Sequence, residues 1–237
     1  MSIIVMASSK GGAGKTTACI ALASEAAKRG VSVSAIDADP NQHFYHWCSR
    51  VGIKQTIASR QDSIIHDMQA AKKLTDIVIV DLEGTTNMTM AYAICKANLV
   101  IIPTQASDLD GREVVKVAKF IRDQSNLLER HIQQRVLFTK VKEAIVTKIE
   151  KAMISDFSTA GLGILKTRLT ERESLRNIIS HNCLLHKLES FNKKNQASNQ
   201  KTLGICRMFL EEVLAIVNGS PPNNEQESQS REQFVAS

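Results

Sequence analysis

Five short, largely continuous apolar runs punctuate the chain: Ile3 to Ala7, Val31 to Ile36, Ile77 to Val80, Leu99 to Ile102 and Val136 to Phe138. Half-buried strands alternate apolar and polar residues, whereas parallel strands covered on both faces read as unbroken apolar stretches. Segments with helical spacing lie between these runs. Thr16 to Arg29 is rich in alanine and closed by Gly30, Arg112 to Leu128 puts Val114, Val117, Ala118 and Ile121 on one face, and Leu203 to Val217 stops at Asn218-Gly219-Ser220-Pro221-Pro222. Glycine past the last helical residue supplies the left-handed turn that ends a helix, and proline cannot continue one. This alternation predicts an α/β fold with a doubly wound, mostly parallel sheet and helices on both faces. Ligands of such sheets bind at the carboxyl ends of the strands. The polar motifs of this chain lie there: a glycine loop, Asp37-Ala38-Asp39-Pro40, Asp81, Pro103 as a strand stop, and Thr139-Lys140.

The 237 residues fit one domain, residues 1–218. Residues 219–237 form a polar tail with too few apolar residues to fold, expected to stay disordered. No apolar run approaches the ~20 residues that span a bilayer. Ile3-Ile4-Val5 opens the chain without a signal-peptide layout, so a cytoplasmic protein is expected. Cys19, Cys48, Cys95, Cys183 and Cys206 are scattered with no C-x-x-C pair and read as reduced thiols packed as small apolar groups. His43 and His46 could share a helix face, but no further ligand stands at matching spacing.

The net charge of +6 is uneven: residues 1–110 are neutral, 111–217 carry +8 and 218–237 carry −2. A basic half on a neutral half points to a polyanion, because lysines and arginines displace counterions from phosphates. A solvated helical surface would give the same count. Arg172, Arg176, Lys193, Lys194, Lys201 and Arg207 are the DNA-contact candidates, with Lys148 and Lys151 behind them.

The first loop reads S-K-G-G-A-G-K-T-T, Ser9 to Thr17. Gly11, Gly12 and Gly14 let successive N–H groups converge on one phosphate in front of a helix N-terminus. Lys15 then neutralises β- and γ-phosphate oxygens, and the Thr16 hydroxyl ligates Mg²⁺. The general pattern asks for glycine at position 9, where this chain has Ser9, and it does not account for Lys10.

With seven fixed positions, K-G-G-x-G-K-T-T from Lys10 to Thr17, Ala13 at the variable place, resembles the deviant Walker A loop of the ParA/MinD superfamily of dimerising P-loop ATPases. The resemblance implies an ATPase using ATP and Mg²⁺ in which Lys10 reaches across a homodimer to the partner's phosphates. It implies that Asp39, in the D-x-D-P switch, positions the attacking water while Asp37 lies near Mg²⁺, and that Asp81 is the Walker B aspartate. Pro103 and Asp110 resemble the switch at the dimer interface, and Thr139, Lys140, Thr167 and Arg168 fall where the family builds its adenine pocket. Asp81-Leu82-Glu83-Gly84 departs from the common D-x-P-P and resembles small ParF-like partition proteins and VirC-like ATPases of DNA transfer; it puts Glu83 close to the metal.

Within the superfamily, residue 10 already lies in the loop, so no N-terminal helix-turn-helix domain is expected. The polar, slightly acidic end lacks the basic amphipathic helix of membrane-bound members, so no membrane partner is expected. The branch implied is a nucleoid-associated partition ATPase that dimerises on ATP, binds double-stranded DNA nonspecifically and works with a ParB-like partner. The alternative is a VirC-like scaffold recruiting a relaxosome during conjugal transfer.

Overall fold

The structure is a computed structural model that describes residues 1–142, 145–190 and 196–219. Seven strands form one parallel sheet: β1 (Ser2–Met6), β2 (Val33–Ala38), β3 (Gln55–Ala58), β4 (Ile77–Leu82), β5 (Leu99–Thr104), β6 (Gln133–Val141) and β7 (Leu169–Thr170), in the order β3-β2-β4-β1-β5-β6-β7. The helices are α1 (Lys15–Lys28), α2 (His43–Val51), α3 (Ile64–Leu74), α4 (Met88–Lys96), α5 (Asp108–Leu127), α6 (Lys148–Thr159), α7 (Glu173–His181) and α8 (Gln196–Val217).

The unbroken apolar strands hide a two-residue period, because each face has its own cover. Ile4 and Met6 of β1, with Ile79 and Ile101, pack under α1, α2, α7 and α8, where Ile20, Trp47, Ile178 and Phe209 are buried. Ile3 and Val5, with Val78, Val80 and Val100, pack under α3 to α6, against Met68, Ile94, Val117 and Phe157. Fully burying a large apolar side chain contributes about 1.5–3 kcal/mol, so each face is a substantial core of its own.

Strand order reverses around β1, which pairs with β4 on one side and β5 on the other. The loops that leave β1, β2, β4 and β5 therefore meet at one carboxyl edge, the place such sheets use for ligands.

Four elements, β5, α8, β3 and β7, differ from what the apolar runs predict. Pro103 does not stop the fourth strand; it lies inside β5 opposite Leu137. Ile101 offers its carbonyl to Ala7 on the β1 side, so Pro103, two residues on, turns its missing N–H to the same side, where β1 has already ended. The last helix starts at Gln196 rather than Leu203 because its first turns bury polar residues: Ser174 Oγ donates to Asn199 Oδ1 at 2.7 Å, and Thr202 is buried. The edge strands β3 and β7 are too short or too exposed to show as apolar runs.

Candidate functional site

The loop between β1 and α1 is shaped by Gly12 and Gly14, at φ 79° and 95°, a backbone state costly for any residue with a Cβ. Gly14 is also the N-cap of α1, with no side-chain cap and no acidic residue in the first turn. The first N–H groups of α1 and the positive end of its dipole are thus left for an anion. Lys15 turns into the loop, its Nζ donating to Ser8 Oγ at 3.0 Å and to the Lys10 carbonyl at 3.3 Å. Burial lowers its pKa, opposed by Asp81, Asp39, Cys19 and Glu83.

Neighbouring strands hold the loop from outside. A Cβ on Gly84 would stand 2.5 Å from the Lys10 carbonyl carbon and 2.6 Å from the Gly11 nitrogen, so the β4 exit lies directly against the loop backbone. Thr139 Oγ1 donates to the Ala13 carbonyl at 2.7 Å, while Lys140 Nζ and Gln105 Nε2 donate to the Gly12 carbonyl at 2.9 and 3.0 Å. Ser9 Oγ donates to Glu113 Oε2 at 2.6 Å. Lys10 stays outside its own cradle, paired with Asp110 in the first turn of α5, and its side chain is 38% exposed. Asp110 also accepts from Ser107, the N-cap of α5. Ser8, Gly84, Gln105 and Glu113 are site residues that the motif reading missed; only Gly84 carried a signal, as the glycine of the D-x-x-G departure.

Thr16 Oγ1 donates to Asp81 Oδ2 at 2.6 Å. Asp81 Oδ1 is buried and has no hydrogen-bond partner among the described residues. An orphaned carboxylate oxygen beside a hydroxyl is an all-oxygen donor set that fits a hard cation such as Mg²⁺. Burial raises the Asp81 pKa to about 7, with Asp37 adding to the shift and the Thr16 hydroxyl opposing it. Asp37, expected near Mg²⁺, also organises backbone. It pairs with Asp81 across β2 and β4, and its two carboxylate oxygens accept the N–H groups of Asp39 at 3.0 Å and Tyr45 at 2.9 Å. It is the organiser of the D-x-D-P turn and of the start of α2. Glu83 likewise turns to Thr85 and Asn87 at the start of α4.

The Asp81 shift has a measurable consequence. A carboxyl whose folded pKa lies above its ordinary value of 3.8 favours the neutral form, so stability falls as pH rises from about 4 through about 7. Metal-free wild type is expected to lose melting temperature across that window relative to Asp81→Asn, and to be the less stable of the two at pH 8. Parallel melting curves from pH 4.5 to 8 in a chelator would contradict this.

Of the four residues expected at an adenine pocket, Thr139 and Lys140 border a cavity. This cavity, beside the start of α1, is lined by Gly14, Thr17, Thr139, Lys140, Leu169 and Leu175, together with Thr170 to Arg172 and Arg176. Thr167 and Arg168 do not line it. The Thr167 N–H donates to Glu212 Oε2 at 2.9 Å, and Arg168 pairs with the buried Glu150 of α6 at 2.7 Å. The chain passes these two residues before it reaches the loop.

The sequence model of the VirC1 protein family matches residues 1–218. The chain belongs to the VirC1 family, within the ParA/MinD superfamily. It is 32% identical to Protein ParA of Rhizobium radiobacter over 199 residues, covering 80% of this chain and 87% of that protein. It is 25% identical to Protein virC1 of Rhizobium rhizogenes over 225 residues, 91% and 96% of the two chains. The fold is shared with apo McdA of Cyanothece, at TM-score 0.69 and 16% identity over 89% of this chain and 99% of that one. These relatives place the protein among the ParA-family ATPases.

The DNA-contact candidates of this VirC1-family chain separate in the structure. Arg172 and Arg176 line the cavity beside the loop rather than a distant face; Arg172 Nε donates to Thr170 Oγ1 at 2.9 Å, and Arg176 pairs with Glu171. Arg176 lies on α7, and Arg172 immediately precedes that helix. Arg207 pairs with Glu211 on α8 at 3.2 Å, and Lys201 lies on the same helix. Lys193 and Lys194 lie outside the described residues, as does the tail from residue 220. No described helix is long and apolar enough to cross a membrane.

Proposed function

We propose that this protein is an ATPase whose ATP-bound form is a homodimer that holds DNA nonspecifically and releases it when a ParB-like partner stimulates hydrolysis, as in plasmid or chromosome partition. The observation that carries the reading is the unequal placement of its two loop lysines. Lys15 is enclosed in the cradle, whereas Lys10 is partly exposed and parked on Asp110. A lysine outside its own cradle is available to another copy's phosphates, and a cation supplied from outside speeds phosphoryl transfer by about 10³ to 10⁵. Bound Mg²⁺ at Thr16 and Asp81 would neutralise charge on the β- and γ-phosphates. Lys15 holds the same oxygens, and Asp39, fixed by its bonds to Asn41, orients the attacking water. The basic charge of residues 111–217 supports a DNA partner.

Sedimentation with ADP, with ATP and with ATP plus random duplex DNA tests each step. Monomer, dimer and DNA-bound dimer are expected in that order, and DNA binding should weaken steeply with salt. Binding that ignored ATP and salt would overturn the DNA step; a protein that stayed monomeric on ATP would overturn the whole cycle.

The match to VirC1 over residues 1–218 and the Asp81-Leu82-Glu83-Gly84 form favour a second reading, a scaffold that recruits a relaxosome in conjugal transfer. Preference for one short duplex over random DNA, or capture of a relaxase rather than a small basic partner, would select it.

A further inference from the structure

The geometry points to Lys140 and Gln105 as positioning residues that set the phosphate loop in its anion-receiving shape without touching the base. The inference rests on the nucleotide-binding reading above and specifies how that site is held. Lys140 Nζ and Gln105 Nε2 both donate to the Gly12 carbonyl, at 2.9 and 3.0 Å. One step along the loop, Thr139 Oγ1 donates to the Ala13 carbonyl at 2.7 Å. In a trans peptide the N–H points opposite to the carbonyl. Fixing these two carbonyls toward β5 and β6 therefore turns the Ala13 and Gly14 N–H groups the other way, into the loop. Left free, glycine peptides flip easily, and each flip would offer a carbonyl oxygen to a phosphate.

One kink, visible in both the backbone angle and the strand register, shapes β6 for this contact. Lys140 has φ 52°, a left-handed state that a lysine adopts only at a cost. The pairing of β6 with β7 shifts register between Thr139 and Val141, the irregularity that a residue out of strand geometry produces. The kink aims the lysine at the loop. Strain held at one residue and directed at a single acceptor is the pattern found where geometry serves a site. Gln105 approaches from the end of β5, three residues before α5 begins. The Gly12 carbonyl is thus gripped from two different strand ends.

The competing role for Lys140 is contact with the base, since it also borders the cavity beside α1. Competition against a fluorescent ADP by ADP, GDP and inorganic pyrophosphate separates the two. Lys140→Met is expected to weaken all three by a common factor of about ten, the loss of one hydrogen bond from a charged donor. Lys140→Arg should recover most of that loss, and Gln105→Ala should weaken all three by a smaller common factor. A Lys140→Met protein that lost ADP affinity but kept pyrophosphate affinity would overturn the inference in favour of base contact, and unchanged affinity for all three would overturn it outright. Wild type that bound none of the three would instead overturn the nucleotide reading, whatever the variants did. Melting without ligand checks the fold of each variant. If Lys140→Met melts early, the same comparison with Gln105→Ala decides.

Discussion

Gly84→Ala is expected to lower ADP affinity by about 100-fold and to destabilise the protein by about 1–3 kcal/mol, the usual cost of overpacking a rigid contact. The added methyl would stand 2.5 Å from the Lys10 carbonyl carbon, with the Gly11 nitrogen and the Lys10 oxygen at 2.6 Å. All three are backbone atoms, so no side chain can swing away; either the β4 exit or the loop must move. The loop moves more readily, because its glycines are its softest joints. A shift of half an ångström there separates N–H groups that must converge on one phosphate. Gly111→Ala is the control. Its methyl would meet only Met153 at 3.5 Å, and within α5 alanine should be neutral or stabilising by about 1 kcal/mol. Isothermal titration with ADP and chemical denaturation measure both effects. A Gly84→Ala protein with wild-type affinity and stability would show that the loop does not depend on this approach.

Lys10→Ala is expected to separate binding from turnover. ATP affinity should stay within about threefold, because Lys15 draws on the Lys10 main-chain carbonyl and not on its side chain. Partner-stimulated hydrolysis should fall by about 10³-fold or more, the range seen when a cation supplied to the transferring phosphoryl group is removed. Asp110→Asn is the companion variant. It keeps Lys10 and removes the charge that parks it, so it should lower the ATP concentration at which dimers form. A Lys10→Ala protein that dimerised on ATP and hydrolysed it at the full stimulated rate would sink the role in trans.

The parts of the site that could be read in the chain were those whose chemistry lies within a few consecutive residues. Lys10 to Thr17 carries the loop, its helix N-terminus and its hydroxyl in one stretch, and Asp81 follows the apolar run Ile77 to Val80 near the end of β4, which fixes the edge it occupies. The doubly wound sheet was legible for the same reason, since each buried strand announces itself by its own composition. The parts that stayed hidden depend on strand order. Gly84 matters because β4 lies beside β1, and Gln105 because β5 lies on the other side. Neither neighbour relation is written in a local pattern. The second task of Asp37 was hidden because a motif gives proximity but not hydrogen bonding: its oxygens also accept the Asp39 and Tyr45 N–H groups. Arg172 and Arg176 read as DNA contacts from charge alone, and only the path of the chain after β7 shows that they line the cavity.

Arg29 joins the two ends of the described chain. At the close of α1 it binds Glu25 of its own helix at 3.0 Å and Glu211 of α8 at 2.8 Å, while Phe209 and Val213 of α8 lie in the core shared with α1. The helix that begins at the phosphate loop and the helix that closes the described chain are thus packed side by side and tied by an ion pair. A reporter placed on α8 would therefore sit on a direct neighbour of the helix that begins at the phosphate loop.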